Sequence, residues 1–129
     1  MDDVFAANRA YYDALSARDL DAMAAVWDLS AEAVNIAPPT RPVAHVGWPA
    51  IRNNYQQFWS TLVRLTVTMA APSIALHGDV AWVHGIEHTQ RIALDGSESG
   101  GKNYGTSIFV KRDGRWLMVF HQATPNPIS

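Results

Sequence analysis

The sequence predicts an α+β fold in which helices come first and an antiparallel sheet follows. In the first half of the chain, apolar residues recur at three-to-four-residue spacing, as on the buried face of a helix. After Leu62, apolar runs typical of strands are separated by turn residues such as Asp113-Gly114. Helices followed by a meandering sheet are the pattern of a two-layer α+β domain.

Length and composition limit the classes of protein to consider. The chain has 129 residues, so we expect residues 1–129 to form a single domain. Its net charge of −2 and lack of any basic run predict no nucleic-acid binding, and its apolar runs are too short to span a membrane. The acidic start, Met1-Asp2-Asp3, lacks the features of a signal peptide, which predicts a cytoplasmic protein. Without cysteine, disulfides and thiolate chemistry are excluded.

Three helices are expected before residue 63. Asp19 stands where its side chain would cap the start of the second helix. Pro49 stands where the third helix would begin, because the first helical turn tolerates proline. Each helix carries an apolar stripe. The stripes are Val4, Tyr11 and Leu15; Leu20, Met23 and Trp27; and Ile51, Tyr55, Phe58 and Leu62.

Strands are expected at residues 33–36 and throughout the second half. The three prolines of residues 37–47 predict an unpaired loop there. In the segment 80–94 both alternating sets of side chains are largely apolar, so we expect one sheet face to pack on the helices and the other on a second subunit. The sequence therefore predicts a homodimer. The later strands are expected at residues 63–70, 73–76, 80–94, 104–112 and 115–122.

Four short motifs have a recognisable order along the chain. They are Ala14-Leu15-Ser16-Ala17-Arg18-Asp19-Leu20-Asp21, Val46-Gly47 followed by Ile51, Gly78-Asp79-Val80-Ala81-Trp82-Val83, and Asp113-Gly114-Arg115-Trp116 before His121 and Thr124-Pro125. Together they resemble the NTF2-like superfamily, in its SnoaL-like and ketosteroid-isomerase-like branch. The resemblance implies a cystatin-like cone, with three N-terminal helices packed on a curved antiparallel sheet around a ligand pocket. Such folds serve isomerases, cyclases, dehydratases and non-catalytic domains, so the fold does not fix the function.

The resemblance to steroid isomerases also implies site residues. A hydrogen-bonded tyrosine pair falls on Tyr11, eight residues before Asp19, and on Tyr55, eight residues after Gly47. The general base of those enzymes is an aspartate, and its position here holds Asn35, whose amide cannot take a proton at neutral pH. A slip of one residue to position 34 or 36 gives valine or isoleucine and does not restore a base. We therefore expect no steroid isomerase activity.

The oxyanion-binding acid of the steroid isomerases corresponds to Ser107, or to Thr106 in a shorter hairpin, and a hydroxyl is a poor acid. A three-residue loop would place Ser107 opposite Val119, whereas a two-residue loop would pair Thr106 with His121. If Ala81 matches the alanine of the family, a set of late-strand residues points into the pocket. That set is Trp82, His84, Ile86, His88, Leu117, Val119 and His121.

Candidate roles follow from these placements. His84 or His121 is the candidate base, and Tyr11 and Tyr55 are the candidate hydrogen-bond donors; His121 and the tyrosines have the alternative of being core residues. No metal or cofactor is expected, because His84 and His88 lie about 13 Å apart along a strand and cannot share one ion. The candidate ligand-binding residues are Asn35, Trp59, Trp82, His88, Ser107 and Val119.

Two functions remain open from the sequence. The first is a cofactor-free isomerase, cyclase or dehydratase that acts on a small, apolar, oxygenated substrate. The second is a non-catalytic ligand-binding or assembly domain. A cavity of several hundred Å³ in which histidine and tyrosine side chains converge would favour the enzyme, and a filled cone would favour the second function.

Overall fold

The computed structural model describes residues 2–37 and 43–125. Within those residues the chain forms three helices and six strands. In chain order they are α1 Asp2–Ala17, α2 Leu20–Val26, β1 Val34–Ala37, β2 Val43–Val46, α3 Trp48–Trp59, β3 Leu62–His77, β4 Val80–Ala93, β5 Glu98–Arg112 and β6 Arg115–Pro125. None of the three described helices is both long and apolar enough to cross a membrane.

The six strands form one curved sheet in the order β2-β1-β6-β5-β4-β3. All neighbouring pairs are antiparallel except β1 and β6, which run parallel. The sheet does not close on itself, and the three helices pack on its concave side. The predicted α+β fold of three helices on a curved sheet is therefore confirmed. The largest fully buried side chains are Trp27, Phe109, Met23, Ile51 and Met118.

The helix starts agree with the signals in the sequence. The Asp19 side chain accepts a hydrogen bond from the Ala22 backbone N–H at 3.1 Å and so caps α2. Gly47 caps α3 with φ 85°, a left-handed conformation that glycine adopts without steric cost, and Pro49 lies in the first turn. The Gly47 N–H also donates to the Ala33 carbonyl at 2.7 Å, which ties the start of α3 to the start of β1.

Three strand predictions need correction. The predicted strands 63–70 and 73–76 are one strand, β3, because a bulge opposite Gly85 absorbs one extra residue between Ala70 and Ser73. Part of the predicted loop 37–47 is β2, which pairs with β1 as a hairpin; its residues 38–42 lie outside the described part of the chain. Strand β5 begins at Glu98, before the predicted residue 104, because the glycine-rich segment pairs with β4.

The predicted inward face of β4 was wrong. Ala81, Val83 and Glu87 are buried against the helices, whereas Trp82, His84 and His88 are exposed on the outer face of the sheet. Both alternating sets contain apolar residues, so alternation alone did not decide the direction. The inner set includes the small residues Ala81 and Gly85, and Met69 of β3 packs over Gly85. His84 therefore does not share a cavity with His121.

The last hairpin has neither of the two expected registers. Its turn is two residues long, with Arg112 opposite Arg115, but a bulge then shifts the ladder. Phe109 pairs with Met118 and Ile108 with Phe120, which leaves Val119 as the extra residue. Beyond the bulge Ser107 pairs with His121, and both side chains are buried. His121 therefore points inward as predicted, and Met118 does so in place of Leu117 and Val119.

Candidate functional site

A cavity of about 440 Å³ opens between the sheet and helices α1 and α3. This volume is that of a small-molecule site. Much of the wall is apolar, with Leu15, Phe58 and Val67 among its residues. Its polar side chains come from six different elements and include Tyr11, Asn35, Tyr55, Glu87, Arg91, Asn103 and His121.

His121 is held at both nitrogens of its ring. Nδ1 lies 2.7 Å from the Ser107 hydroxyl, on the opposite residue of β5, and Nε2 lies 3.3 Å from Oε2 of Glu87. The ring also packs on Tyr11, with 4.7 Å between ring centroids. Ser107 is only 2% exposed and lies behind the histidine, so its hydroxyl orients the ring and does not itself face a ligand.

Glu87 is a buried carboxylate in the cavity wall, with 3% exposure. The Tyr12 hydroxyl donates to Oε2 at 2.6 Å, and the other carboxylate oxygen, Oε1, takes part in neither this bond nor the contact with His121. Burial alone would raise the pKa of Glu87. The contact with His121 and its charge, together with donation from Tyr12 and Asn103, outweighs burial and lowers the pKa below its usual value. Glu87 is therefore ionised at neutral pH.

The Tyr55 hydroxyl donates to the Tyr11 hydroxyl at 3.3 Å. Burial is the main cause that raises the pKa of both phenols, and the nearby Glu87 charge raises both further. Both groups therefore stay protonated. Because Tyr11 accepts from Tyr55, its own hydrogen remains for an acceptor in the cavity.

Glu87 reaches its position only because Gly105 has no side chain. A Cβ at Gly105 would lie 2.6 Å from Oε2 of Glu87 and 2.8 Å from its Cδ. Gly105 is buried on β5, the strand beside β4, so the carboxylate lies across the bare backbone of its neighbour. The backbone of β5 thus forms the back of the acidic site.

A family model of the SnoaL-like domain matches residues 4–127. The chain belongs to the SnoaL-like domain family. Among curated proteins, none matches this SnoaL-like chain.

Solved structures share the fold of the SnoaL-like chain over almost its whole length. A dehydratase candidate of the NTF2-like family from Streptomyces avermitilis has 18% identity and a TM-score of 0.87, covering 97% of this chain and 95% of that one. An NTF2-like superfamily protein from Salmonella enterica has 20% identity and a TM-score of 0.87, covering 98% and 91%. The S. rosetta CaMKII hub has 20% identity and a TM-score of 0.80, covering 97% and 95%. At these identities the similarity establishes the fold alone.

The predicted site residues divide between two sides of the SnoaL-like sheet. Tyr11, Tyr55, Asn35 and His121 line one cavity, and the Ser107 hydroxyl contacts Nδ1 of His121. Asn35 is the neighbour of His121 in the β1–β6 pairing, and its buried Oδ1 has no hydrogen-bond partner within the described residues. The predicted ligand-binding residues outside this wall are Trp82 and His88 on the outer face, the bulge residue Val119, and Trp59, which stacks on Tyr55 in the core.

Sequence reasoning missed Glu87, the carboxylate at the centre of this group, together with Tyr12 and Arg91. The signal was present in β4. In the set Ala81, Val83, Gly85 and Glu87, the glutamate is the one ionisable residue on an otherwise small, apolar face, and a buried carboxylate marks a candidate functional site. Because that set was assigned to the outer face, Glu87 was interpreted as an exposed residue and not as a buried carboxylate. Within the described residues, no group of three or more His, Cys, Asp or Glu side chains could hold a metal ion.

Acid is expected to remove stability through Glu87. Its pKa is lowered in the folded protein, so its stabilising contribution is complete above its usual pKa and is lost as pH falls through the folded value. The difference in unfolding free energy between wild type and Glu87→Gln should therefore shrink between about pH 6 and about pH 3. Urea denaturation at both values measures it, with Glu98→Gln, an exposed position, as control. A difference that grows on acidification would contradict the assignment.

Proposed function

We propose that this SnoaL-like protein is a cofactor-free acid–base enzyme that takes a proton from a carbon next to a carbonyl group. Isomerisation, dehydration and cyclisation of a small oxygenated molecule can each begin with this step. The observation that carries the proposal is the ionised Glu87 in the wall of a 440 Å³ cavity. An ionised carboxylate can accept a proton, and a protonated phenol beside it can donate a hydrogen bond, so the cavity wall holds both partners of an acid–base reaction.

We assign the role of base to Glu87 because the histidine has no free ring nitrogen. Nδ1 of His121 contacts Ser107 and Nε2 faces Glu87. His121 then acts as a positioning residue that orients the carboxylate and lowers its pKa. Oε1 of Glu87 is the atom proposed to receive the proton, and the electron pair of the broken C–H bond moves into the enolate.

The tyrosine pair is proposed to bind the oxygen of that enolate. Tyr11 would donate its hydrogen to the oxygen, and Tyr55, which already donates to Tyr11, would disperse the charge that develops. Both donors are fixed by burial in the core, so the hydrogen bonds would form with little rearrangement. The apolar wall around them, including Leu15, Phe58 and Val67, favours a substrate with a mainly hydrocarbon body.

Exchange of carbon-bound hydrogen in D₂O tests the proposal without knowledge of the product. A panel of aryl ketones, including 4-oxo-4-phenylbutyrate, is incubated with the protein and followed by proton NMR. We expect the α-hydrogen signal of at least one ketone to decay faster with protein than in buffer. Binding of the panel without any accelerated exchange would instead favour a non-catalytic ligand-binding domain.

A second candidate function is assembly, which is supported by exposed apolar side chains on the outer face of the sheet. The outer face of the sheet exposes Trp82 at 42% and Tyr104 at 50%, next to the exposed Val80. We propose that this outer sheet face joins two copies in a homodimer. A twofold interface places the same patch on both sides, and a stable one buries more than about 1,000 Å² in total. The similarity in fold to the CaMKII hub is consistent with such a role.

We expect a dimer at micromolar concentration that Trp82→Glu converts to a monomer. A twofold axis would bring two unpaired carboxylates into one apolar interface, which is unfavourable. Light scattering coupled to size exclusion measures the mass. Phe5→Glu is the matched control, because Phe5 is also exposed but lies on α1. A monomeric wild type would refute the interface.

A further inference from the structure

Arg91 is a cation in the cavity wall that the proposed chemistry does not use. It lies on β4 four residues after Glu87, on the same face, and it lines the same cavity. Four residues along a strand separate the two Cα atoms by about 13 Å. The cavity therefore has an anionic end at Glu87 and a cationic end at Arg91.

The guanidinium of Arg91 has no counter-charge among the described residues. Its Nε is buried and has no hydrogen-bond partner there, and the ion pairs of this part of the chain are Arg112 with Asp28 and His121 with Glu87. Its neighbours across the sheet are Leu65 and Ser99. From α3, the residues that line the cavity are Asn54, Tyr55, Gln57 and Phe58, which bring no acid.

A buried N–H donor without a partner, such as the Nε–H of Arg91, is costly unless a ligand completes it. Its planar array of N–H donors fits the two oxygens of a carboxylate. No lysine and no second arginine lines the described cavity wall, so one positive charge is available, which suits a monoanion better than a phosphate dianion.

We propose that Arg91 binds the carboxylate of the substrate, so that the protein acts on a small apolar acid. This inference rests on the proposed function for the reaction, while the binding of the carboxylate stands on Arg91 itself. Repulsion from Glu87 and attraction to Arg91 fix the direction in which the acid enters. The hydrocarbon body then lies along the apolar wall, with its reactive carbon at the Glu87 end.

The test compares two ligands that differ only in charge, 4-oxo-4-phenylbutyrate and its primary amide. Isothermal titration calorimetry gives the Kd of each for wild type, Arg91→Gln, Arg91→Lys and Lys102→Gln. Hydrogen bonds to a charged group predict that wild type prefers the acid by about tenfold to a hundredfold. Arg91→Gln should lose the preference, and Arg91→Lys should keep part of it. Lys102→Gln removes an exposed positive charge on β5 and should keep all of it.

The outcomes separate this inference from the proposed function. Equal Kd values for acid and amide in wild type overturn the role of Arg91, whatever the variants do. So does a preference that Arg91→Gln retains. A preference that needs Arg91, without any accelerated hydrogen exchange, supports the carboxylate site and refutes the enzyme. Exchange of the ketone hydrogens without a preference for the acid supports the enzyme and refutes the carboxylate site.

Discussion

Glu87→Gln is expected to slow hydrogen exchange by about 10²–10⁴-fold, the usual contribution of a positioned general base. The amide has nearly the shape of the carboxylate and can still accept from Tyr12, so the cavity should keep its form. It cannot take a proton at neutral pH. The loss should therefore appear in the exchange rate at saturating ketone more than in the Kd of the ketone. Proton NMR in D₂O and calorimetry measure the two quantities.

Glu98→Gln is the matched control for this variant, because it makes the same chemical change at an exposed position of β5. Its exchange rate should equal that of wild type. Glu87→Asp keeps the charge but withdraws the carboxylate by one methylene. Its exchange rate should lie between those of Glu87→Gln and wild type. If Glu87→Gln exchanges hydrogen as fast as wild type, Glu87 is not the base, and the proposal fails at its central residue.

Gly105→Ala is expected to damage both stability and exchange, although Gly105 bears no functional group. The new Cβ would stand 2.6 Å from Oε2 of Glu87, so the carboxylate must leave its contacts with Tyr12 and His121. Forcing a methyl group into a packed site costs about 1–3 kcal/mol of unfolding free energy. A catalytic group displaced by about 1 Å can lose about 10²-fold in rate. Urea denaturation and the exchange assay measure the two losses.

Gly101→Ala provides the control on the same strand, because a Cβ there meets no atom within 4 Å. We expect its unfolding free energy and exchange rate to stay close to those of wild type. Equal behaviour of the two alanine variants would show that the structure places Glu87 wrongly. Loss of stability in Gly105→Ala with unchanged exchange would show that the position of Glu87 does not matter for the rate.

The helices and their residues could be predicted because their signals are local. Asp19 caps α2 and Pro49 opens α3 where the sequence indicated, and the helical face of Tyr11 and Tyr55 follows from rigid spacing. The family resemblance supplied the overall arrangement of helices and sheet.

Side-chain directions on the strands could not be predicted to the same extent, because one residue of register reverses a face. Both faces of β4 are apolar enough to be buried, so the wrong set was chosen and Glu87 was missed. On β6 the alternation breaks at Val119, and no residue there differs in type from an ordinary strand residue. Contacts between strands decide which face of β4 is buried and where β6 has its bulge. These contacts cannot be read from a single sequence.

A change in the length of a strand usually alters both its curvature and the direction of its side chains. The bulge at Val119 separates these two properties. Removing Val119 from the sequence would leave Ile108 opposite Phe120 and Ser107 opposite His121, since Val119 is the residue without a partner in the ladder. The side chains that face the cavity would be the same, while the strand would lose a source of bending and twist. Insertions and deletions at position 119 can therefore change the shape of the cavity without replacing the polar side chains that line it. Related proteins could therefore change the shape of the substrate they accept through the length of this strand, and change their chemistry through substitutions of the cavity side chains.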